Sequence, residues 1–197
     1  MESPFLVLTE VVHILEQQKI PYALVGSLAS SMYGMYRSTA DIDLLADISV
    51  EQVRPLVDAL HKNFYIDEQV VRQAIARRGS FNAIHFDSAF KVDIFIPKRD
   101  EFSKNQLERR QRRKLAPDAN QYIYVATAED TILAKLRWYR AGGEVSNNQW
   151  SDVLHILGVT DFDLDFDYLR EWSDTLGIRD LLEKAISSVK EREQGRF

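Results

Sequence analysis

The sequence predicts an α/β (α+β) chain: a mixed sheet flanked by helices, followed by a C-terminal helical bundle. Three observations lead there. Up to about residue 126, apolar runs of strand length alternate with stretches whose apolar residues recur at helical spacing. Beyond residue 126 every periodic stretch reads helical. Residues 81–86 and 90–96 form two alternating apolar runs around Asp87-Ser88, which is the pattern of a hairpin. The expected organisation is an α/β domain over residues 1–126 and a helical domain over 127–197 packed against it.

Taken in order, residues 4–18 predict a helix, with Pro4 at its start and Leu8, Val11, Val12 and Leu15 on one face. Residues 22–25 predict a buried strand, broken by Gly26-Ser27, and residues 28–35 predict a helix of small residues. Residues 41–45 predict a second strand. Residues 50–61 predict a helix capped by Ser49, residues 64–66 a short strand, and residues 67–78 a helix closed by Gly79. After the hairpin come a helix or ordered loop over 100–108 and a strand over 121–125. Helices are then predicted over 127–141, 147–157, 165–176 and 178–192, the first capped by Thr127 and carrying Glu129 and Asp130 in its opening turn.

Composition narrows the function classes. A chain of 197 residues that is 45% hydrophobic and 28% charged is long enough for a well-filled core. It has no cysteine, which rules out disulfides, thiolate metal sites and cysteine nucleophiles and suits a reducing cytoplasm. A net charge of −5 argues against a generally basic, nucleic-acid-coating protein. Glu2 and Glu10 occupy the place of a basic leader, so no signal peptide is expected, and no apolar run reaches the roughly 20 residues that span a membrane. No H-x-x-x-H pair and no G-x-x-x-x-G-K-[ST] loop occurs. Asp161, Asp163, Asp165 and Asp167 lack the glycine and closing glutamate of a calcium loop and read as a capped helix entry.

The chemistry concentrates in residues 21–47. Gly26 allows backbone to approach a ligand closely, and Ser27 sets a hydroxyl at a helix N-terminus, where free N–H groups favour phosphate. Asp41 and Asp43 lie two apart on a strand, so both carboxylates point to one face while Ile42 and Leu44 anchor the other. That frame suits hard cations such as Mg²⁺. Asp93 is a third carboxylate, set inside the apolar strand 90–96 with Lys91 and Phe95 on its own face. The bland alternatives are solvated aspartates and an edge charge that blocks aggregation.

Gly26-Ser27, a helix, then Arg37-Ser38-Thr39-Ala40-Asp41-Ile42-Asp43-Leu44 resembles the signature of the polymerase-beta-type nucleotidyltransferase superfamily, in the form seen in small bacterial enzymes that include the AbiEii-type toxins. Lys91-Val92-Asp93-Ile94 is similar to the later strand that supplies that family's third metal carboxylate. The resemblance implies a nucleotidyltransferase-like fold and transfer of a nucleoside monophosphate from an NTP to an acceptor hydroxyl, with release of pyrophosphate. It implies Asp41, Asp43 and Asp93 as ligands of Mg²⁺ or Mn²⁺, and Gly26, Ser27, Arg37 and Thr39 as nucleotide contacts. Glu129-Asp130 followed by Lys135, and Trp150-Ser151-Asp152 later, resemble the toxins' segments, so Lys135 is expected to act in catalysis and nucleotide binding, and Asp152 in nucleotide binding. A lysine off the buried stripe Ile132–Leu133–Leu136–Tyr139 is free to do so.

The toxin resemblance implies an RNA acceptor, a tRNA end, and an antitoxin protein as partner, with no membrane involved. The alternatives are an antibiotic nucleotidyltransferase and a non-catalytic nucleotide- or antitoxin-binding module on the same fold. Arg109, Arg110, Arg112, Arg113 and Lys114 concentrate positive charge in an acidic chain. On a strand, Arg110, Arg112 and Lys114 share one face, a spacing suited to backbone phosphates, and a solvated edge is the plainer reading.

Overall fold

A computed structural model describes residues 4–34, 41–115, 121–159 and 163–194 of the chain. Two compact units divide it: Met1–Leu28 with Ser38–Ala126, and Ala29–Arg37 with Thr127–Phe197.

In the first unit, helix α1 (Pro4–Gln17) buries Leu8, Val11, Val12 and Leu15 and leads into strand β1 (Tyr22–Val25). Helix α2 (Gly26–Tyr33) starts directly at Gly26, so the glycine and Ser27 are the first helical residues and not a separate turn before the helix. Gly26 makes the bend with φ +67°, a left-handed conformation that needs no intervening loop when Cβ is absent. Strand β2 (Asp41–Ala46) follows. The stretch expected as one helix over 50–61 divides into a 3₁₀ turn, Val50–Gln52, and helix α3 (Val53–Leu60). The Ser49 N–H donates to Gln52 Oε1 at 3.0 Å, which tightens this first turn. Strand β3 (Phe64–Tyr65) precedes helix α4 (Glu68–Arg77). Asp67 caps α4 by accepting from the N–H groups of Gln69 and Val70 at 2.7 and 3.0 Å. At its other end the left-handed residue is Arg78, φ 51°, in place of the expected Gly79, whose N–H closes the helix on Ala74 O at 2.9 Å.

Strands β4 (Ser80–His85) and β5 (Lys91–Phe95) form the expected hairpin. Helix α5 (Glu101–Arg109), capped by Asp100, leads to strand β6 (Gln111–Lys114), and strand β7 (Tyr122–Val125) returns beside it. Among the described residues these strands make a seven-stranded mixed sheet in the order β3-β4-β5-β2-β1-β7-β6. The pairs β2–β5 and β1–β7 are parallel and the others antiparallel.

Register decides what each face carries. Ile42, Leu44 and Ala46 on β2 share a face with Val92 and Ile94 on β5, and all are fully buried. α1 packs on β2 and on α3, whose Val53, Leu56, Val57 and Leu60 complete this core. On the other face, Ala23, Leu45 and Leu107 of α5 form an apolar cluster with Val25 and Phe95. Farther along β2 and β5 that same face carries Asp43, Asp93, Asp41 and Lys91.

The second unit is helical: it takes in α2 from Ala29 onward and holds α6 (Ala128–Ala141), α7 (Asn147–Gly158), α8 (Phe166–Thr175) and α9 (Arg179–Gln194). α6 packs on α7 and α8, and α9 packs on α7 and α8. Thr127, Ser146 and Asp165 cap α6, α7 and α8, each accepting from the N–H three residues on. Asp165 thus takes the capping role expected of the alternating acidic run, of which Asp161 and Phe162 lie outside the described residues. No helix among the described residues is long and apolar enough to cross a membrane.

The β1–α2 junction makes one testable demand. A Cβ added to Gly26 would lie 2.0 Å from Asp43 Oδ2, whereas one added to Gly79 meets nothing within 4 Å. Gly26→Ala should lower the urea midpoint by an amount equivalent to more than about 1–2 kcal/mol, the left-handed backbone cost alone. Gly79→Ala should hold the midpoint or raise it. Equal midpoints for the two variants would contradict the assigned junction.

Candidate active site

The site grows from two strands whose buried faces leave no freedom of register. A one-residue slip of β2 against β5 would expose Ile42 and Leu44 and bury Asp41 and Asp43. In the native register Asp43 stands beside Asp93, and Asp41 beside Lys91. Adjacent strands run about 4.8 Å apart, so the Asp43 and Asp93 carboxylates are near neighbours on one face. β4 presents Asn82 on the far side of Asp93.

Lys91 offsets part of the negative charge on this face. Its Nζ lies 2.8 Å from Asp93 Oδ2 and 3.8 Å from Asp41 Oδ1. The hydrogen bond to Asp93 is the main cause that holds its ammonium above the ordinary 10.5; partial burial opposes it, and the charges of Asp93, Asp41 and Asp43 add to it. One cation therefore feels all three carboxylates. Asp41 is open to solvent, with 59% of its side chain exposed, and Asp93 is more enclosed at 22%. Asp43 packs against Gly26, where any side chain would displace it. Ser27, next in α2, is half-buried.

The donor set consists of carboxylate oxygens, the ligand type of Mg²⁺ and Mn²⁺. In this arrangement of side chains no group of three acidic or histidine residues among the described residues is spaced to hold a metal ion. The ammonium of Lys91 lies between Asp41 and Asp93 instead, so the place accepts a cation, and an incoming metal would have to displace the lysine.

Arg37 and Thr39, expected to contact nucleotide, lie outside the described residues. Lys135 and Asp152 meet in the second unit: Lys135 Nζ lies 2.6 Å from Asp152 Oδ2, and both residues are buried, at 5% and 9% exposure. The helical register sets Lys135 off the expected buried stripe. The structure buries it all the same, because α6 is covered nearly all round in its first two turns. Asp152 makes that tolerable by pairing the charge.

Two groups gain a part that the sequence reading does not give them. Lys91 reads there only as a member of a pattern, although its position two residues before Asp93 on a strand places it on the acidic face. Asp130 is fully buried and accepts from the Tyr168 hydroxyl at 2.5 Å, a contact across 38 residues that no local pattern signals.

No family model matches this chain, and no curated protein matches it. Solved structures do. The chain is similar to the antibiotic-resistance factor ANT(2'')-Ia in its solution structure, with 10% identity, 98% of this chain and 97% of that one covered, and a TM-score of 0.57. It is also similar to an antigenic nucleotidyltransferase-like protein from Paracoccidioides brasiliensis, with 12% identity, 93% and 91% covered, and a TM-score of 0.54. At such identities the likeness is one of fold. The chain has the nucleotidyltransferase-like fold that its resemblance to the polymerase-beta-type superfamily implies.

Proposed function

We propose that the protein is a metal-dependent nucleotidyltransferase that moves a nucleoside monophosphate from an NTP to an acceptor hydroxyl and releases pyrophosphate. The observation that carries this reading is the placement of Asp41, Asp43 and Asp93 on a single sheet face, with the Lys91 ammonium paired to Asp41 and Asp93. The fold supports it.

In this reading Asp41, Asp43 and Asp93 hold Mg²⁺ or Mn²⁺, which when bound neutralises charge on the triphosphate and makes the acceptor hydroxyl more acidic. The N–H groups of Gly26 and Ser27 at the start of α2 hold phosphate oxygens. Arg37 and Thr39 extend the nucleotide contacts. Asp93, more enclosed than Asp41, receives the proton of the acceptor hydroxyl. Catalysis then consists mainly of positioning and charge stabilisation. Residues 1–126 form the catalytic domain, supported by the confinement of the described strands to that span, and residues 127–197 form the helical domain. Lys135, expected to neutralise nucleotide charge, would do so by exchanging its bond to Asp152 for one to phosphate. The acceptor is RNA in the toxin-like reading, with an antitoxin as partner in the cytoplasm. An antibiotic hydroxyl is the second reading, favoured by the fold likeness to ANT(2'')-Ia.

The decisive experiment supplies labelled NTPs and Mg²⁺ with tRNA and with a panel of aminoglycosides and lincosamides. Transfer to one class is expected, and Asp43→Asn should lose at least about 100-fold in rate with the fold intact. Wild-type turnover in Asp43→Asn would remove the metal role.

Lys91 and the metal should compete. Its raised pKa means that the stability the lysine's charge contributes is fully present below its ordinary 10.5 and is lost as pH rises through the raised value, so neutral pH does not discharge it. Lys91→Met should tighten Mg²⁺ binding by roughly tenfold, read as a larger rise in melting temperature with added MgCl₂. An identical Mg²⁺ response in both proteins would overturn the competition.

Lys135→Ala alone should cost about 3–5 kcal/mol by leaving Asp152 buried and unpaired. Replacing both partners with apolar side chains of similar size, Lys135→Met together with Asp152→Leu, should restore the fold. If Lys135 binds nucleotide, the double variant melts like wild type and still binds NTP more weakly. Unchanged NTP affinity would assign the pair to stability alone.

A further inference from the structure

Strand β6 forms one edge of the sheet and carries the densest positive charge in an otherwise acidic chain. Its register with β7 sets Arg112 opposite Tyr124 and Lys114 opposite Tyr122, so the cations and both rings lie on one face. Arg110, one residue before the strand, continues the same alternation. The cations also stack diagonally on the rings: the Arg110 guanidinium lies 4.7 Å from the Tyr124 centroid and that of Arg112 lies 5.1 Å from the Tyr122 centroid. Stacking holds each guanidinium flat; Arg110 also donates through Nη1 to the Leu107 carbonyl, which fixes it further, and exposed Arg112 presents its edge to an anion. Tyr122 remains 41% exposed, while Arg112 and Lys114 are open to solvent.

Beside this ladder lies a hollow of about 440 Å³, lined among others by Lys19, Arg110, Arg112, Tyr124, Tyr22 and Glu16. The Glu16 carboxylate accepts from the Tyr22 hydroxyl at 2.9 Å. Burial pushes that hydroxyl well above the ordinary tyrosine range, so it stays a donor. Ile20 and Pro21 add an apolar stretch, and Lys19, Arg110 and Arg112 supply the positive charge.

We propose that the β6–β7 face is a docking surface for single-stranded polynucleotide, with Arg110, Arg112, Lys114 and Lys19 on its phosphates and Tyr122 stacking on a base. Positive groups two residues apart along a strand repeat at roughly 6.8 Å, an arrangement that tracks an extended phosphate backbone. An exposed ring flanked by cations takes the face of an unpaired base. A duplex keeps its base faces stacked inside, so it uses the charges and leaves the ring without a role. An acidic peptide likewise has no π-face for Tyr122. The inference deepens the nucleotidyl-transfer reading by assigning the acceptor class. Its test measures binding without NTP or metal, so the two readings can fail separately.

The experiment titrates the full chain against fluorescent 20-nucleotide oligomers, single-stranded oligo(U), oligo(dT) and a mixed-sequence duplex, by anisotropy across a salt series, with polyglutamate as a polyanion control. Single strands should bind more tightly than duplex or polyglutamate, and the oligo(U) and oligo(dT) arms distinguish RNA from DNA. Arg112→Gln with Lys114→Gln should reduce the salt slope by about 1.4, the effect of two lost phosphate contacts on a single strand. Tyr122→Ala should weaken single-strand binding by roughly 5- to 150-fold and leave duplex binding unchanged. Tyr122→Leu keeps the apolar volume on the strand and should show the same loss if Tyr122→Ala impairs folding. Equal salt slopes, equal binding of polyglutamate, or full single-strand affinity in Tyr122→Leu would each overturn the assignment.

Discussion

The in-register parallel pairing of β2 with β5 is the constraint on which the rest of the first unit depends. It sets Asp43 beside Asp93 and Asp41 within reach of Lys91. Like charges directly abreast on neighbouring strands are destabilising by themselves. They are held there because the opposite face of the same strands is the main core: Ile42, Leu44, Val92 and Ile94 are each fully buried. Burying four aliphatic side chains contributes roughly 6–12 kcal/mol, far more than a partly solvated carboxylate pair costs. The apolar face thus dictates the position of the acidic one, and Lys91 relieves the repulsion by placing its ammonium between Asp41 and Asp93.

The same face changes character along its length. At its apolar end Leu45, Ala23 and Phe95 are covered by α5, and at its other end the carboxylates remain accessible. Gly26 sits at the seam. Its left-handed turn starts α2 at once, and its missing side chain lets the Asp43 carboxylate lie against the helix start. Fold and candidate chemistry therefore meet in one residue, where neither the backbone angle nor the space tolerates another side chain.

Much of this is legible in the chain. Element order and the β4–β5 hairpin follow from period-2 and period-3.6 patterns, because local spacing reports which face is buried. The D-x-D pair is legible because alternation on one strand fixes direction. The partnership of Asp43 with Asp93 is not legible from local spacing, since it joins residues fifty apart through a parallel pairing that leaves no turn signal; only the family resemblance brings the two together. Arg78 takes the left-handed position expected of Gly79 because its N–H and the next close the helix on Ala74 and Ile75. The burial of Lys135 escapes a reading by helical stripe for another reason. A helix enclosed on most sides has no free face, and only the approach of Asp152 from α7 makes an interior ammonium tolerable. Nucleotide contacts expected at Arg37 and Thr39 fall outside the described residues.

Charge is divided across the sheet into an acidic region and a basic one that act on their surroundings separately. β2 and β6 are three strands apart in the sheet order, roughly 14 Å at the usual spacing. That exceeds the screening length of about 8 Å at physiological ionic strength. The carboxylates around Lys91 therefore do little to repel a polyanion at the β6–β7 edge, and the arginines there do little to neutralise the carboxylates. A chain with net charge −5 can in this way keep an acidic, cation-attracting face and a basic edge on one sheet. The intervening strands β1 and β7 insulate them, since the described residues of both strands are mainly apolar or aromatic and add no charge of their own. A ligand engaging both regions would have to extend across that neutral span, as an extended single strand of a few nucleotides can.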